Sequence, residues 1–320
     1  MRKNIYNILI VFILFILLIT ILLFSNDVVF NVMLAIKIWK ENIFTSLFPF
    51  FIISDLLINY GFVELISIIT NPIINKLFFL PGNCAFIIII SMLSGCPSNA
   101  KYIKEILESK KISNEQAQFL LSFTHFPNPL FILGFVGDNI LNNKKIGIII
   151  LISIIIGNFI IGFFTKKESN YIFKKQNIKQ VLNNISEKTK SNNFVATISN
   201  SIFKSINTLL LLLGIITIFY ILTSIIFNIF NFTNIQKTLI SGFLEMTQGI
   251  KNIKALEIPL LLKSIIITSF VSFGGISIHM QVMSVLSDNK IKYRYYLLSR
   301  ICHMFISSFI SFILFKIFIT

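Results

Sequence analysis

Long apolar runs separated by short polar segments dominate the hydropathy pattern of this chain. The runs over 5–24, 146–164, 207–230 and 295–318 are each 19 to 24 residues long. An α-helix of about 20 apolar residues crosses the hydrocarbon core of a bilayer. Backbone polar groups inside lipid need partners within the protein, and a helix supplies them. The pattern therefore predicts an all-α polytopic membrane protein.

Two other apolar segments contain interruptions of similar composition. The stretch 272–279 reads Ser-Phe-Gly-Gly-Ile-Ser-Ile-His inside the segment 260–286, and the stretch 94–99 reads Ser-Gly-Cys-Pro-Ser-Asn inside the segment 84–100. Glycine weakens a helix interior by about 1 kcal/mol relative to alanine. One such break is more often a packing kink, whereas a matched pair is typical of the discontinuous helices that form solute sites in secondary transporters.

Further segments complete the predicted helices. Two prolines in Thr-His-Phe-Pro-Asn-Pro, residues 124–129, predict a break in a helix over 115–136. Residues 194–206 are predicted as a separate helix that leads into the span 207–230. Residues 28–41 alternate apolar and polar positions, which indicates an amphipathic helix at the membrane interface.

The order of these segments indicates an internal duplication. Ser94 and Ser272, Leu120 and Leu297, and His125 and His303 head similar short motifs at offsets of 178, 177 and 178 residues. We interpret the chain as two inverted repeats with discontinuous helices or re-entrant hairpins, although the number of crossings that sets their orientation stays open. The predicted units are an anchor and interfacial helix over 1–41, repeats over 42–165 and 194–320, and a cytosolic linker over 166–193.

The charge of the chain fits a membrane protein better than a nucleic-acid-binding protein. Its net charge is +15, and the basic residues lie in short segments between apolar runs. Residues 166–190 alone hold seven lysines against two glutamates. This is the distribution of cytosolic membrane loops, so we expect a lipid partner and no nucleic acid. The three cysteines have no paired spacing, and no phosphate-binding G-x-x-x-x-G-K-[ST] motif is present.

Four motifs resemble those of the YlbJ-type sporulation integral membrane proteins, within the nucleoside-recognition or Gate superfamily. They begin at Ser94, Ser122, Leu244 and Ser272, and the resemblance runs from about residue 40 to the C-terminus. The resemblance implies export of dipicolinic acid from the mother cell across the outer forespore membrane during sporulation. Two residues depart from the family pattern, because Asn99 stands where glycine is usual and His125 where asparagine is usual.

More than one role is open for three kinds of charged or titratable residue. Arg300 could clamp a carboxylate, form a structural ion pair with Glu245 or Asp55, or extend to the interface. Glu245 could couple transport to a proton, but we favour it as the partner of Arg300. The histidines could bind a metal, but we favour a hydrogen-bonded lining because none of them shares a ligand-spaced pair on one helix.

The predicted substrate-binding residues combine backbone breaks, hydroxyls, amides and charged groups. They are Ser94, Gly95, Pro97, Ser98, Asn99, His125, Asn128, Glu245, Ser272, Gly274, Gly275, Ser277, His279, Gln281 and Arg300. Half-helix N-termini near these residues suit a carboxylate. We predict no catalytic residue, no cofactor and no metal, and therefore no enzyme.

The sequence thus predicts a secondary transporter or facilitator for a small organic anion in the bacterial cytoplasmic membrane, and the resemblance implies dipicolinic acid and the outer forespore membrane. A nucleoside-like small-solute carrier and a non-transporting scaffold for the spore envelope are the alternatives. A coupling proton or cation and a homo-oligomer stay open.

Overall fold

The computed structural model describes residues 2–166, 185 and 193–319. Every regular element in these ranges is a helix, which confirms the all-α prediction. The helices before the linker are α1 (Arg2–Leu23), α2 (Ser25–Ile38), α3 (Thr45–Asn59), α4 (Phe62–Phe78), α5 (Cys84–Ser94), α6 (Ser98–Glu108), α7 (Asn114–Phe123), the π-helical α8 (Phe131–Ile140) and α9 (Lys144–Thr165). Those after it are α10 (Phe194–Ile229), α11 (Asn234–Leu244), α12 (Met246–Ile253), α13 (Leu260–Phe273), α14 (Gly275–Val285) and α15 (Tyr293–Phe318).

Five helical stretches in the described part of the chain are long and apolar enough to cross a membrane. They are Ser25–Asn59, Lys144–Thr165, Phe194–Ile229, Leu260–Val285 and Tyr293–Phe318. Val11–Leu23, Cys84–Ser94 and Phe131–Ile140 are shorter apolar helices. These helices support an integral membrane protein. The two inverted repeats and the proposed unit boundaries stay predictions, and most of the linker lies outside the described residues.

Two predicted helix boundaries differ from the structure. Residues 194–206 do not form a separate helix, because α10 runs without a break for 36 residues. Residues 28–41 join the next span through a π-helical turn, Trp39–Phe44, and this continuous stretch packs along α10. Trp39 donates a hydrogen bond to the Leu209 carbonyl over 2.9 Å. The position of residues 28–41 at the membrane interface stays a prediction.

The centre of the helix bundle is formed by α9, α13 and α15, which pack on one another. Small side chains let them approach closely, as is usual between membrane helices. A β-carbon at Gly157 on α9 would collide with the Ser307 hydroxyl on α15. Ser311 on α15 lies 3.1 Å from both Ser264 and Thr268 on α13. This rigid centre supports the interrupted helices around it.

Candidate functional site

Four breaks interrupt the helices around the centre, and three of them confirm the sequence prediction. They lie at residues 95–97, at 124–129, at Glu245 and at Gly274. Gly95 and Gly274 have φ of +83° and +91°, a backbone conformation that favours glycine. The fourth break, at Glu245, separates α11 from α12 and was not predicted from the sequence.

The four breaks contact one another in succession. A β-carbon at Gly95 would collide with the backbone of Asn128, so the first two breaks meet there. One at Gly274 would lie 2.8 Å from the His125 ring, which joins the second break to the break at Gly274. One at Gly275 would lie 3.1 Å from the Met246 nitrogen. The breaks therefore form one continuous group inside the bundle.

A cavity of about 60 Å³ lies beside this group. Its polar wall residues are Asn42, Ser46, His125, Asn128, Glu245, Thr247 and Gln281. Cys96 and Pro97 of the first break also line it. About 10–15 Å³ of such volume holds one water molecule, so this space suits roughly four or five. No lysine or arginine occurs among the described residues of the wall.

The Asn128 side chain forms hydrogen bonds with the ends of two helices. Its side-chain oxygen accepts hydrogen bonds from the backbone nitrogens of Leu130 over 2.8 Å and Phe131 over 3.2 Å, at the start of α8. Its amide donates to the Ser94 carbonyl, 3.3 Å away at the end of α5. Free groups at helix ends need such partners when they are buried. Asn128 therefore holds the first two breaks together.

Arg300 is fully buried behind the wall of the cavity. Its guanidinium donates to the Ser122 carbonyl near the end of α7, and two of its nitrogens lie 3.5 Å from the Asn158 side-chain oxygen on α9. Asn158 in turn donates to the His125 carbonyl over 2.7 Å. A cation at a helix C-terminus is favoured by the helix dipole. Arg300 and Asn158 thus fix the second break against the central helices.

The three histidines also act at helix ends. Nε2 of His279 donates to the Phe273 carbonyl over 2.9 Å, and its Nδ1 accepts from the Tyr293 hydroxyl over 3.1 Å. Nε2 of His303 donates to the Ile154 carbonyl over 3.0 Å, and its Nδ1 lies 3.1 Å from Arg300 and 3.2 Å from the Ser272 carbonyl. Nδ1 of His125 lies 3.0 Å from the Tyr296 hydroxyl.

No group of three potential metal ligands lies close together among the described residues. The three histidines make the hydrogen bonds given above, and the absence of a bound metal stays a prediction.

Glu245 lies at the junction of α11 and α12 and is 1% exposed. Its two carboxylate oxygens each lie 3.2 Å from the Thr247 nitrogen and 3.1 Å from the Thr247 hydroxyl. These hydrogen bonds cap the N-terminus of α12. No ion pair to this carboxylate occurs within the described part of the chain.

Sequence similarity to a known protein gives evidence on the family of this chain. The chain is 28% identical over 295 residues to the sporulation integral membrane protein YlbJ of Bacillus subtilis (strain 168), which covers 83% of this chain and 72% of that protein. This similarity supports a YlbJ-type sporulation membrane protein. No family model matches it, and no solved structure matches it.

Two expected ion pairs are absent from the described part of the chain. Arg300 does not pair with Glu245 or Asp55, and it does not reach the interface because it is 0% exposed. Asp55 instead lies 3.9 Å from Lys101 and 3.7 Å from Lys204, and accepts a 2.6 Å hydrogen bond from Ser201. The predictions that Arg300 forms an ion pair with Glu245 or Asp55, or extends to the membrane interface, were therefore wrong. Its role as a carboxylate clamp stays a prediction.

The predicted substrate-binding residues fall into two groups in the structure. Those that line the cavity are Pro97, His125, Asn128, Glu245 and Gln281. Those that lie outside its wall are Ser94, Gly95, Ser98, Asn99, Ser272, Gly274, Gly275, Ser277, His279 and Arg300. Among the second group, Asn99 Oδ1, Ser272 Oγ and Ser277 Oγ are buried without a hydrogen-bond partner.

Sequence reasoning missed five polar residues of the site. Asn158 and Tyr296 link Arg300 and His125, and Asn42, Ser46 and Thr247 line the cavity. Asn158 offered one signal, because it is an isolated amide in the apolar run 146–164. A polar residue at that depth has to face the protein interior.

Proposed function

We propose that this protein is a secondary carrier or facilitator that moves a small organic anion, dipicolinate in the first instance, across the outer forespore membrane. The observation that supports the proposal most is the cavity beside four contacting helix breaks. Helix breaks within a bilayer occur where protein or a wet cavity satisfies the freed backbone groups. Secondary transporters build their solute sites from such discontinuous helices.

The chemistry of the breaks favours a solute with hydrogen-bond acceptors. The N-termini of α6, α8 and α14 all begin at the breaks, and helix N-termini attract carboxylates through free N–H groups and the helix dipole. The side chains of Asn42 and Gln281 at the wall add amide donors. The relationship to a sporulation membrane protein adds dipicolinate, a planar dicarboxylate, as the first solute to test.

The cavity is smaller than an ordinary ligand pocket, which has a volume of about 300–1,000 Å³. We therefore propose that the structure is a closed state and that helices move at the breaks when solute enters. Each break is a place where backbone torsions can change without loss of a regular helix. Two inverted repeats that meet at the breaks would give such a movement a symmetrical basis.

A neutral solute, such as a nucleoside, is the second candidate. The described wall contains no lysine or arginine, whereas it does contain the Glu245 carboxylate. A dianion gains nothing from an ionised carboxylate at its binding site, but a neutral solute can accept or donate hydrogen bonds there. Competition between nucleosides and dipicolinate for uptake separates the two candidates.

Uptake of labelled dipicolinate into vesicles that contain the purified protein tests the proposal, with Gly274→Leu as the variant. A side chain at Gly274 meets the His125 ring and a φ of +91°, so we expect uptake to fall at least tenfold. Gly214→Leu is the matched control, because a β-carbon there has no atom within 4 Å. Uptake no faster than in protein-free vesicles would exclude dipicolinate transport, and full uptake by the Gly274→Leu variant would remove the break at Gly274 from the transport mechanism.

A further inference from the structure

The carboxylate of Glu245 is the one cavity group whose charge conflicts with the proposed solute. It is buried at the wall, and within the described residues its oxygens accept hydrogen bonds from Thr247 alone. Burial disfavours the charged form of a carboxyl group, and two backbone or hydroxyl donors compensate it less than a cation does. A carboxylate in this position gains from binding a proton, most of all when an anion enters the same small space.

The surrounding helices supply no cation to Glu245. The charged and titratable side chains on the helices that pack against the α11–α12 pair are Lys204 and Tyr220 on α10, Asp138 on α8, Lys263 on α13 and His279 on α14. Of these, Tyr220 interacts electrostatically with Glu245. Its hydroxyl lies 3.4 Å from Thr247 and carries no positive charge.

The other charged groups have partners elsewhere. Lys204 pairs with Asp55 over 3.7 Å, Asp138 pairs with Lys144 over 3.5 Å, and Lys263 donates to the Lys254 carbonyl over 3.4 Å. Lys237 and Lys251, on α11 and α12 themselves, make no ion pair with Glu245 within the described residues. The other titratable groups in the cavity wall beside Glu245 are His125 and Cys96. Nδ1 of His125 lies within hydrogen-bond distance of the Tyr296 hydroxyl.

We propose that Glu245 carries a proton together with each anion, so that the transporter is a proton–anion symporter. This rests on the proposed transport function. One proton from the water on the entry side binds a carboxylate oxygen of Glu245, and the anion then enters beside a neutral carboxyl group. On the other side the anion leaves and the same proton returns to water there. A dianion that moves with one proton transfers one net negative charge.

The Glu245 carboxyl group also caps the N-terminus of α12, and this structural role is compatible with the transport cycle. A neutral carboxyl group still accepts the Thr247 hydrogen bonds through its carbonyl oxygen, so protonation need not unfold the start of α12. A β-carbon at Gly275 would lie 3.4 Å from the Glu245 Cα, so the two breaks are closely packed here. A change of charge at Glu245 therefore occurs at the contact between two breaks, where a coupled movement would have to begin.

The test measures dipicolinate and proton entry together, in vesicles that hold a pH-sensitive dye. For the wild type we expect about one proton per dipicolinate, and uptake that rises up to about tenfold per unit of lowered outside pH. In Glu245→Gln, which is permanently neutral, both proton entry and this pH dependence of dipicolinate uptake should be lost. Glu257→Gln, at an exposed loop position, is the matched control and should behave as the wild type.

The outcomes separate the two proposals. Dipicolinate uptake by the wild type without proton entry, or a sodium requirement in its place, would overturn proton coupling and leave transport intact. Proton entry that persists in a folded Glu245→Gln protein would also overturn it. Absence of uptake by the wild type at every pH would remove the transport proposal itself. If Glu245→Gln does not fold, the proton count of the wild type decides.

Discussion

Replacing Asn158 with leucine is expected to lower the free energy of unfolding by about 3 kcal/mol, since two buried groups each lose a hydrogen-bond partner at about 1–3 kcal/mol. The His125 carbonyl loses its 2.7 Å donor, and Arg300 loses its side-chain oxygen acceptor. Leucine fits the apolar character of the rest of α9, so membrane insertion is unaffected. The measurement is reversible unfolding by sodium dodecyl sulfate in mixed micelles.

The control and a second variant sharpen this result. Ser153→Ala on the same helix removes only a local bond to the Ile149 carbonyl and should cost less than about 1 kcal/mol. Combining Asn158→Leu with Arg300→Met should cost clearly less than the sum of the two single changes, because the two side chains act as a pair. Additive effects, or a loss no larger than that of Ser153→Ala, would contradict the role given to Asn158.

Replacing Gly249 with leucine is expected to separate α11 from α12 and to abolish uptake. The backbones of Gly249 and Gly242 touch where the two helices cross, and the Phe270 ring lies 3.1 Å from a β-carbon built at Gly249. Overpacking of a tight core costs about 1–3 kcal/mol, and here backbone rather than a flexible side chain must move. We expect a loss at the upper end of that range by the same unfolding measurement.

Gly214→Leu serves again as the matched control for Gly249→Leu, because it adds the same side chain to an exposed helix position without neighbours. A Gly249→Leu protein with the stability and uptake of this control would show that close contact between α11 and α12 is dispensable. It would also remove the break at Glu245 from the account of the site.

Glycine and proline made three of the four breaks predictable from sequence. Glycines with positive φ at 95 and 274, and two prolines within 124–129, leave the chain few alternatives to a helix end. The fourth break has neither residue at Glu245, and it depends on the capping of α12 by the carboxylate. The uninterrupted α10 was missed for a related reason, since polar residues such as Lys204 face a tertiary partner that sequence does not reveal.

The partners of Arg300 could not be read from the sequence. Charge alone suggested a carboxylate, whereas the fold supplies a backbone carbonyl and an amide oxygen at the end of a broken helix. Backbone acceptors carry no sequence signal, because every residue has one. The same limit applies to His279, whose acceptor is the Phe273 carbonyl.

Cys96 offers the most direct test that the breaks enclose a water-filled solute cavity, because it lines that cavity while Cys84 is buried in the core and Cys302 is exposed on the outer face of α15. With Cys84 and Cys302 replaced by serine, the measurement is the rate at which a charged, water-soluble thiol reagent modifies Cys96 in vesicles. The account predicts measurable modification that dipicolinate slows. Modification by a lipid-soluble reagent alone, or a rate that dipicolinate does not change, would contradict it.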